Sequence, residues 1–513
     1  MKHFDDFYDC VVIGASIAGL TCAIKLAKEN KKVLVLEQHN LPGGLATSFV
    51  RGGVEFEATL HALSDVGSES DPRNVREFFD DEINSHIEWL PTIEAYRAKS
   101  EDVDLTVKCG FIESAKEIDR IIPGSYDKTM EFYTLCETVN NSSRVLTNKK
   151  IGLFNLFKEM KANKAFFKTV GYTVDDVFKH LKIEGKLKEV LGAYWVYLGV
   201  PTDNLPFNVF IAVISDYIGN VPYIARHTSF EIGSRLHNAA TKLGVTIEYG
   251  QKVDKILVKK RKVYAVKTKY GEVINTSYVA CGAYPSTAYN SMVEPISEVT
   301  KLASRFANHN KVKTSNFTVC LLLDCDYKDL NISTYSTFMS LKSLDSRECF
   351  DNYSSMGPYN YMTVVCPNVV HQDASPLGTC IIDITTLPNP EAWNKVVSVD
   401  NYFDLKRTIA KDLINAVNKV FNINLFDHIK EVIIQSPISI VHYTDSYNGA
   451  IYGYTHNMND HVVARFMQKR LRNHIKGLYF VGAHGPSGDG MGPAFTNGKS
   501  AYKDIISAMN KNK

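Results

Sequence analysis

An α/β fold is predicted by three observations. Residues 8–37 read as strand, helix and strand; residues 477–509 read as a short strand, a glycine-rich turn and a helix; and the chain between them alternates helical periodicity with runs of strand-forming residues. At roughly 150 residues per domain, 513 residues make three folding units or two large ones. The composition removes competing classes. With 58 Lys+Arg against 56 Asp+Glu, a net charge of +2 and 11% aromatic residues, the chain lacks both the basic excess of a nucleic-acid binder and the charge and aromatic poverty of a disordered chain.

The first element is residues 8–14 (YDCVVIG), a short apolar, β-branched run that ends in glycine, the profile of a buried parallel strand. Ile17, Leu20, Ile24 and Ala27 then recur at helical spacing through Lys28, and residues 31–37 (KKVLVLE) give a second buried strand. The turn between them, GASIAGL, places Gly14 and Gly19 at the first and third glycine positions of the dinucleotide fingerprint, with Ser16 at the second. Ile17 and Ala18 open the helix, whose free N–H groups and dipole suit a pyrophosphate. Glu37 closes the second strand, 23 residues after Gly14, where a carboxylate can accept hydrogen bonds from a ribose diol. Pro42, Gly43, Gly44 and Leu45 follow. Paired glycines there let backbone approach a cofactor that continues past its pyrophosphate, which suits FAD better than NAD.

Further along, residues 154–199 show apolar side chains at three and four spacing and predict helices. Residues 222–283 read as a helix to Leu243, a turn at Gly244 and alternating strands joined at Tyr270-Gly271. Residues 313–326, 359–367, 378–387 and 431–443 read as strands, and residues 404–421 as an amphipathic helix. At the C terminus, residues 478–481 form a strand, Gly482 permits close approach, and Gly488, Gly490, Met491 and Gly492 lead into a helix from about Pro493.

On these residues the chain resembles the FAD-dependent phytoene desaturase family, which includes carotenoid desaturases, carotenoid isomerases and retinol saturases. The likeness rests on the glycine-rich turn, Glu37, the Pro-Gly-Gly segment, residues 56–61 (FEATLH), residues 194–213, residues 222–283 and the C-terminal glycine motif. Glu57 stands at the family's Asp, Thr59 at its usual Gly, Leu45 at a position often basic, and His227-Thr228 where relatives carry two glycines. The resemblance implies a Rossmann-like FAD-binding domain of the GR2 flavoprotein type, assembled from residues 1–70, 222–295 and 440–513. It is interleaved with an α+β substrate domain made of a helical cap, 71–221, and a mixed sheet, 296–439. It implies FAD held by Gly14, Ser16, Ile17, Ala18, Gly19, Glu37, Gly43, Gly44, Leu45, His61, Val253, Gly482, Gly490 and Met491. The implied reaction is desaturation, saturation or isomerisation of an apolar isoprenoid polyene, with an electron acceptor that the sequence does not identify. His61 and His484 are the candidate proton donors or acceptors, His61 being equally suited to hold backbone groups at the cofactor edge. Arg226-His227 and Tyr197 are weaker candidates. Two other readings keep the fold: an oxidase of an amine, amino-acid-derived or carrier-bound substrate, and a lipid-binding chaperone without catalysis.

The ten cysteines are scattered without a CxxC pair, which reads as reduced thiols in a cytoplasmic protein. Dispersed histidines and the absence of HExxH predict no metal. Residues 151–172 carry Phe154, Phe157, Phe166 and Phe167 among lysines, either a cap helix with its aromatics in the core or a stripe lying in a membrane surface.

Overall fold

The computed structural model describes residues 4–59, 62–148, 156–312, 314–456 and 474–511. Near the N terminus, strand Cys10–Ile13, helix Ile17–Lys28 and strand Val33–Glu37 form as the sequence pattern dictates. The two strands pair in parallel, Val11 beside Leu34, and extend into a five-stranded parallel sheet. From edge to edge its strands are Leu478–Phe480, Val279–Cys281, Cys10–Ile13, Val33–Glu37 and Thr246–Tyr249. Both faces are covered, which explains why its central strands are apolar without alternation. Val12, Val33 and Val35 pack beneath helices Ile17–Lys28, Thr228–Lys242 and Met491–Lys511. Val11, Leu34 and Leu36 pack on the other face, against a four-stranded sheet that includes Val253–Lys259 and Lys262–Thr268. The C-terminal helix lies so close to the first that a Cβ on Gly498 would come 2.6 Å from the Ala18 carbonyl oxygen.

A seven-stranded mixed sheet forms the second layer, in the order Ile429–Gln435, Phe317–Leu323, Cys380–Thr386, Tyr361–Val365, Ser336–Ser340, Glu94–Lys99 and Asp104–Lys108. Helix Tyr402–Phe421 buries Leu413 and Val417 on one face of it, against Val319, Leu321 and Ile382. Helices between Phe111 and Tyr217 build a separate apolar cluster, into which Phe166 is buried.

The structure differs from the sequence pattern in four places. Residues 71–221, read as mostly helical, also supply strands Glu94–Lys99 and Asp104–Lys108 to the substrate-side sheet. The run 431–443 is not one strand: Ser436 and Ser439 form a capping box with Pro437 at the first helical position, so the strand ends at Gln435 and helix Pro437–Thr444 begins. The C-terminal helix starts at Met491, ahead of Pro493. Strands Ser48–Arg51 and Val54–Glu57 form a hairpin whose two-residue loop, Gly52-Gly53, has φ of +56° and +79°, the backbone that a tight hairpin of this kind demands. Among the described residues no helix is long and apolar enough to cross a membrane, and all ten cysteines are free thiols.

Candidate cofactor and substrate site

The turn after the first strand needs glycine at two positions, at Gly14 for its backbone and at Gly19 for lack of space. Gly14 has φ of +100°, and a Cβ on Gly19 would sit 2.2 Å from the Gly14 carbonyl oxygen. Ser16 is the N-cap of the first helix, its Oγ accepting the Gly19 N–H at 3.3 Å. That gives the serine a local reason to replace the fingerprint's middle glycine. Glu37 is buried at the end of the second strand; its Oε2 accepts the Ala15 N–H at 2.6 Å and its Oε1 the His39 N–H at 2.8 Å. The carboxylate thus ties the glycine turn to the loop that follows it, and its remaining lone pairs can still take a diol.

The Pro42-Gly43-Gly44 segment is pressed between this turn and helix Thr228–Lys242. The Gly43 N–H donates to the Ala15 carbonyl at 2.8 Å, a Cβ on Gly44 would lie 3.1 Å from the Ser16 Cβ, and a Cβ on Gly233 would lie 3.0 Å from the Pro42 carbonyl oxygen. Leu45 follows, its carbonyl accepting the Thr59 hydroxyl at 2.9 Å. The Gln251 N–H donates to the Glu37 carbonyl at 2.8 Å and brings Val253 to the same rim. The Gln251 Oε1 is buried with no partner among the described residues, an open acceptor beside Glu37.

From the other end of the chain, Gly482, Gly488 and Gly490 all have positive φ, between +75° and +109°. Asn497 holds this loop: its Nδ2 donates to the Gly482 and Gly488 carbonyls at 2.8 and 2.7 Å, and its Oδ1 accepts the Ser487 N–H at 2.9 Å. The His484 ring lies against Tyr284 and Tyr454, with centroids 4.3 and 5.1 Å away. Within the same glycine loop, Asp489 Oδ1 meets His456 Nε2 at 2.7 Å, with both side chains about 95% buried (4% and 5% exposed), and Asp489 Oδ2 accepts the Gly453 N–H at 3.0 Å. Sequence reasoning missed both Asn497 and the His456–Asp489 pair. An acid between two glycines of a cofactor loop, Gly488-Asp489-Gly490, was the available signal for the second.

These pieces converge on one cavity of about 1050 Å³, at the upper end of the roughly 300–1,000 Å³ usual for small-molecule sites. Gly14, Ser16, Ile17, Ala18 and Glu37 line it, as do Gly43, Gly44, Leu45 and Val253, and Gly482, His484, Gly490 and Met491. Gly19 stands behind the lining, against Gly14. The same cavity continues along an apolar wall of Val196, Leu198, Val209, Ala212 and Val213 from the cap helices, with Ile433 and Ile434 from the sheet. Tyr197 lines this part, packed against Tyr194, Tyr217 and Phe338.

Other expected residues lie elsewhere. His61 falls outside the described residues, as do Phe154 and the rest of 149–155. Arg226 forms ion pairs with Glu88 and Asp373, and His227 is exposed; neither lines the cavity. The departures beside them have structural reasons. Thr228 adopts φ of +61°, a left-handed backbone suited to glycine, and its hydroxyl donates to Glu55 Oε1 at 2.7 Å. Glu57 accepts the Ser229 N–H at 2.7 Å and the Ser229 hydroxyl, so it caps helix Thr228–Lys242; burial pushes its carboxyl up to about 8 against the pull of those hydrogen bonds. On the adjoining sheet, burial pushes the Asp383 carboxyl up to about 7 beside the Cys320 thiol. Among the described residues no three His, Cys, Asp or Glu side chains converge as a metal site.

Comparison with known proteins bears on this arrangement. A family model for an NAD(P)-binding Rossmann-like domain matches residues 12–81. The chain is 23% identical over 510 residues to the all-trans-retinol 13,14-reductase of Danio rerio, covering 92% of this chain and 82% of the relative. It is 22% identical to the phytoene desaturase of Phycomyces blakesleeanus, covering 97% and 84%, and 23% identical to prolycopene isomerase 2 of an Oncidium hybrid cultivar, covering 83% and 71%. Among solved structures, an oxidoreductase from Methanosarcina mazei shares the fold with a TM-score of 0.63 at 14% identity, covering 96% of this chain and 99% of that one. The cyclohexylamine oxidase of Brevibacterium oxydans does so with a TM-score of 0.62 at 11% identity, covering 99% and 100%. The resemblance to the phytoene desaturase, carotenoid isomerase and retinol saturase family is thus borne out along nearly the whole chain, and the protein is an oxidoreductase related to those enzymes.

Proposed function

We propose that the protein is an FAD-dependent oxidoreductase that desaturates, saturates or isomerises carbon–carbon double bonds of an apolar isoprenoid polyene. The observation that carries the reading is the single cavity in which a dinucleotide cradle opens onto an apolar wall. The residues present fit FAD. The Gly14–Gly19 turn and the N-terminus of the first helix suit the pyrophosphate, Glu37 and the open Gln251 Oε1 suit the adenosine, and the Gly482–Met491 loop suits the flavin end. When bound, FAD supplies the hydride chemistry. The chain's own part is to position the ring, keep water from the apolar wall and handle protons. Asp489 orients His456, which makes that imidazole a further candidate to hold or release a proton, in addition to His484 and to His61 as the sequence suggests it. The names of the relatives, a reductase of retinol, a desaturase of phytoene and an isomerase of prolycopene, support the substrate class. The amine oxidase neighbour shares the fold alone.

For a cytoplasmic protein, an apolar substrate favours work at a membrane surface; since Phe166 packs into the cap, the exposed Lys161, Lys164 and Lys168 within 151–172 are the contact, and flotation with anionic phospholipid vesicles, lost when these three are replaced by Glu, would support this, while no flotation of the parent protein would remove it. The reaction itself is tested by mixing oxidised and photoreduced holoenzyme, without oxygen, with a polyene and with a simple amine while the flavin spectrum is followed. Reaction with the polyene is expected in one redox state. Bleaching of the oxidised flavin by the amine, with no response to polyenes, would overturn the assignment.

A further inference from the structure

Helix Phe207–Tyr217 forms much of the apolar wall, and through its first eight residues (FNVFIAVI) the single polar side chain is Asn208. Asn208 is 4% exposed, lines the cavity, and leaves both its Nδ2 and its Oδ1 without a hydrogen-bond partner among the described residues. Such an arrangement is costly, because a buried amide that gives up water without a replacement partner loses the hydration of a donor and an acceptor together. An aliphatic side chain would fill the same space on this helix without that penalty. Several other polar groups along this part of the cavity are engaged. Thr385 and Thr318 share a hydrogen bond of 2.9 Å, the Tyr217 hydroxyl donates to the Ala62 carbonyl at 3.2 Å, Gln435 Nε2 reaches the Glu57 carbonyl at 3.4 Å, and Asp216 pairs with Arg144 at 3.4 Å.

We propose that Asn208 is a specificity-determining residue, and that the cavity takes a polyene bearing one hydroxyl group in preference to the bare hydrocarbon. A hydroxyl both donates and accepts, so a single oxygen can give its proton to Asn208 Oδ1 and receive one from Nδ2; a hydrocarbon leaves both unanswered. Sites built around a hydrogen-bonding substrate reject analogues lacking that group far more strongly than apolar pockets reject a missing methylene. The inference rests on the polyene reading of the cavity and narrows its substrate class.

The test compares binding to FAD-loaded protein of geranylgeraniol, its methyl ether and the hydrocarbon of the same skeleton, read as quenching of protein fluorescence. The alcohol is expected to bind at least about tenfold more tightly than the hydrocarbon, with the ether, which accepts but cannot donate, between them. Asn208→Leu is expected to bring the three ligands to within about twofold of one another while FAD content is unchanged and the thermal midpoint of the ligand-free protein is equal or higher. A residue holding only the fold would instead lower that midpoint and weaken all three ligands alike. Equal binding of alcohol and hydrocarbon by the parent protein, or a preference that survives in Asn208→Leu, overturns the proposal and leaves the polyene reading standing. If none of the three binds, both fall.

Discussion

Gly19 illustrates how much rests on single atoms in this site: a methyl group there would need the space 2.2 Å from the Gly14 carbonyl oxygen. Gly19→Val is therefore expected to abolish FAD retention, read as the flavin-to-protein absorbance ratio after gel filtration, while the far-ultraviolet circular dichroism keeps its helical signal. Asp489 is the corresponding residue for chemistry. Asp489→Asn keeps the shape of the loop but removes the charge that orients His456, so turnover is expected to fall by roughly 10²–10⁴ with FAD content preserved. Full turnover in that variant would exclude the pair from catalysis. Asp383 tests electrostatics away from the chemistry. Because burial lifts its carboxyl from near 3.8 to about 7, the folded protein keeps a proton that the unfolded chain has released across that interval. Its contribution is most favourable below pH 4 and declines as the pH rises to 7. Asp383→Asn is expected to raise stability at pH 8 by on the order of 2 kcal/mol and to change little near pH 4, measured by urea unfolding at both values. At this scale the fingerprint residues Gly14, Gly19 and Glu37 were legible because their spacing is local. Asn497 and His456–Asp489 were not, because their partners arrive from distant segments that only the folded chain brings together.

Among the elements, helix Thr228–Lys242 shows how a family departure is accommodated. Its first turn is held from outside by the hairpin Ser48–Glu57, through Glu55 on Thr228 and Glu57 on Ser229. Glu57→Ala leaves the Ser229 N–H without its acceptor and is expected to destabilise the protein by about 1–2 kcal/mol, seen as a lower urea midpoint, whereas Glu57→Gln, whose amide oxygen still accepts that N–H, is expected to recover most of the loss. The hairpin itself escaped the sequence pattern because its strands are only four residues each and polar on one side, although Gly52-Gly53 marked the turn. Strand and helix could not be separated by periodicity over 431–443 either; the capping box at Ser436, with Pro437 behind it, decided the matter. Long, strongly periodic elements were read closely, as with the helix expected over 404–421 and found as Tyr402–Phe421.

At the scale of the whole molecule, the parallel sheet draws its strands from the first 40 residues, from Thr246–Tyr249 and Val279–Cys281 and from the last 40, and the cavity lies where these meet the cap and the second sheet. A ligand bridging segments so far apart in sequence couples strongly to folding. FAD at a hundredfold excess over its Kd is expected to add about 2.7 kcal/mol to stability. The thermal midpoint should therefore climb with FAD concentration in the parent protein and stay flat in Gly19→Val. The sequence placed the cofactor motifs at both ends but could not show that they share one cavity with Val196, Val209 and Val213, since that continuity depends on packing between the cap and both sheets. That the cofactor and the polyene share one cavity is tested most directly by titrating FAD-loaded protein with a polyene while following the bound flavin's absorbance and fluorescence. Saturable quenching at one polyene per flavin, with a perturbed flavin spectrum, is expected. Polyene binding that leaves the flavin signals untouched, or protein that takes up no FAD, would contradict it.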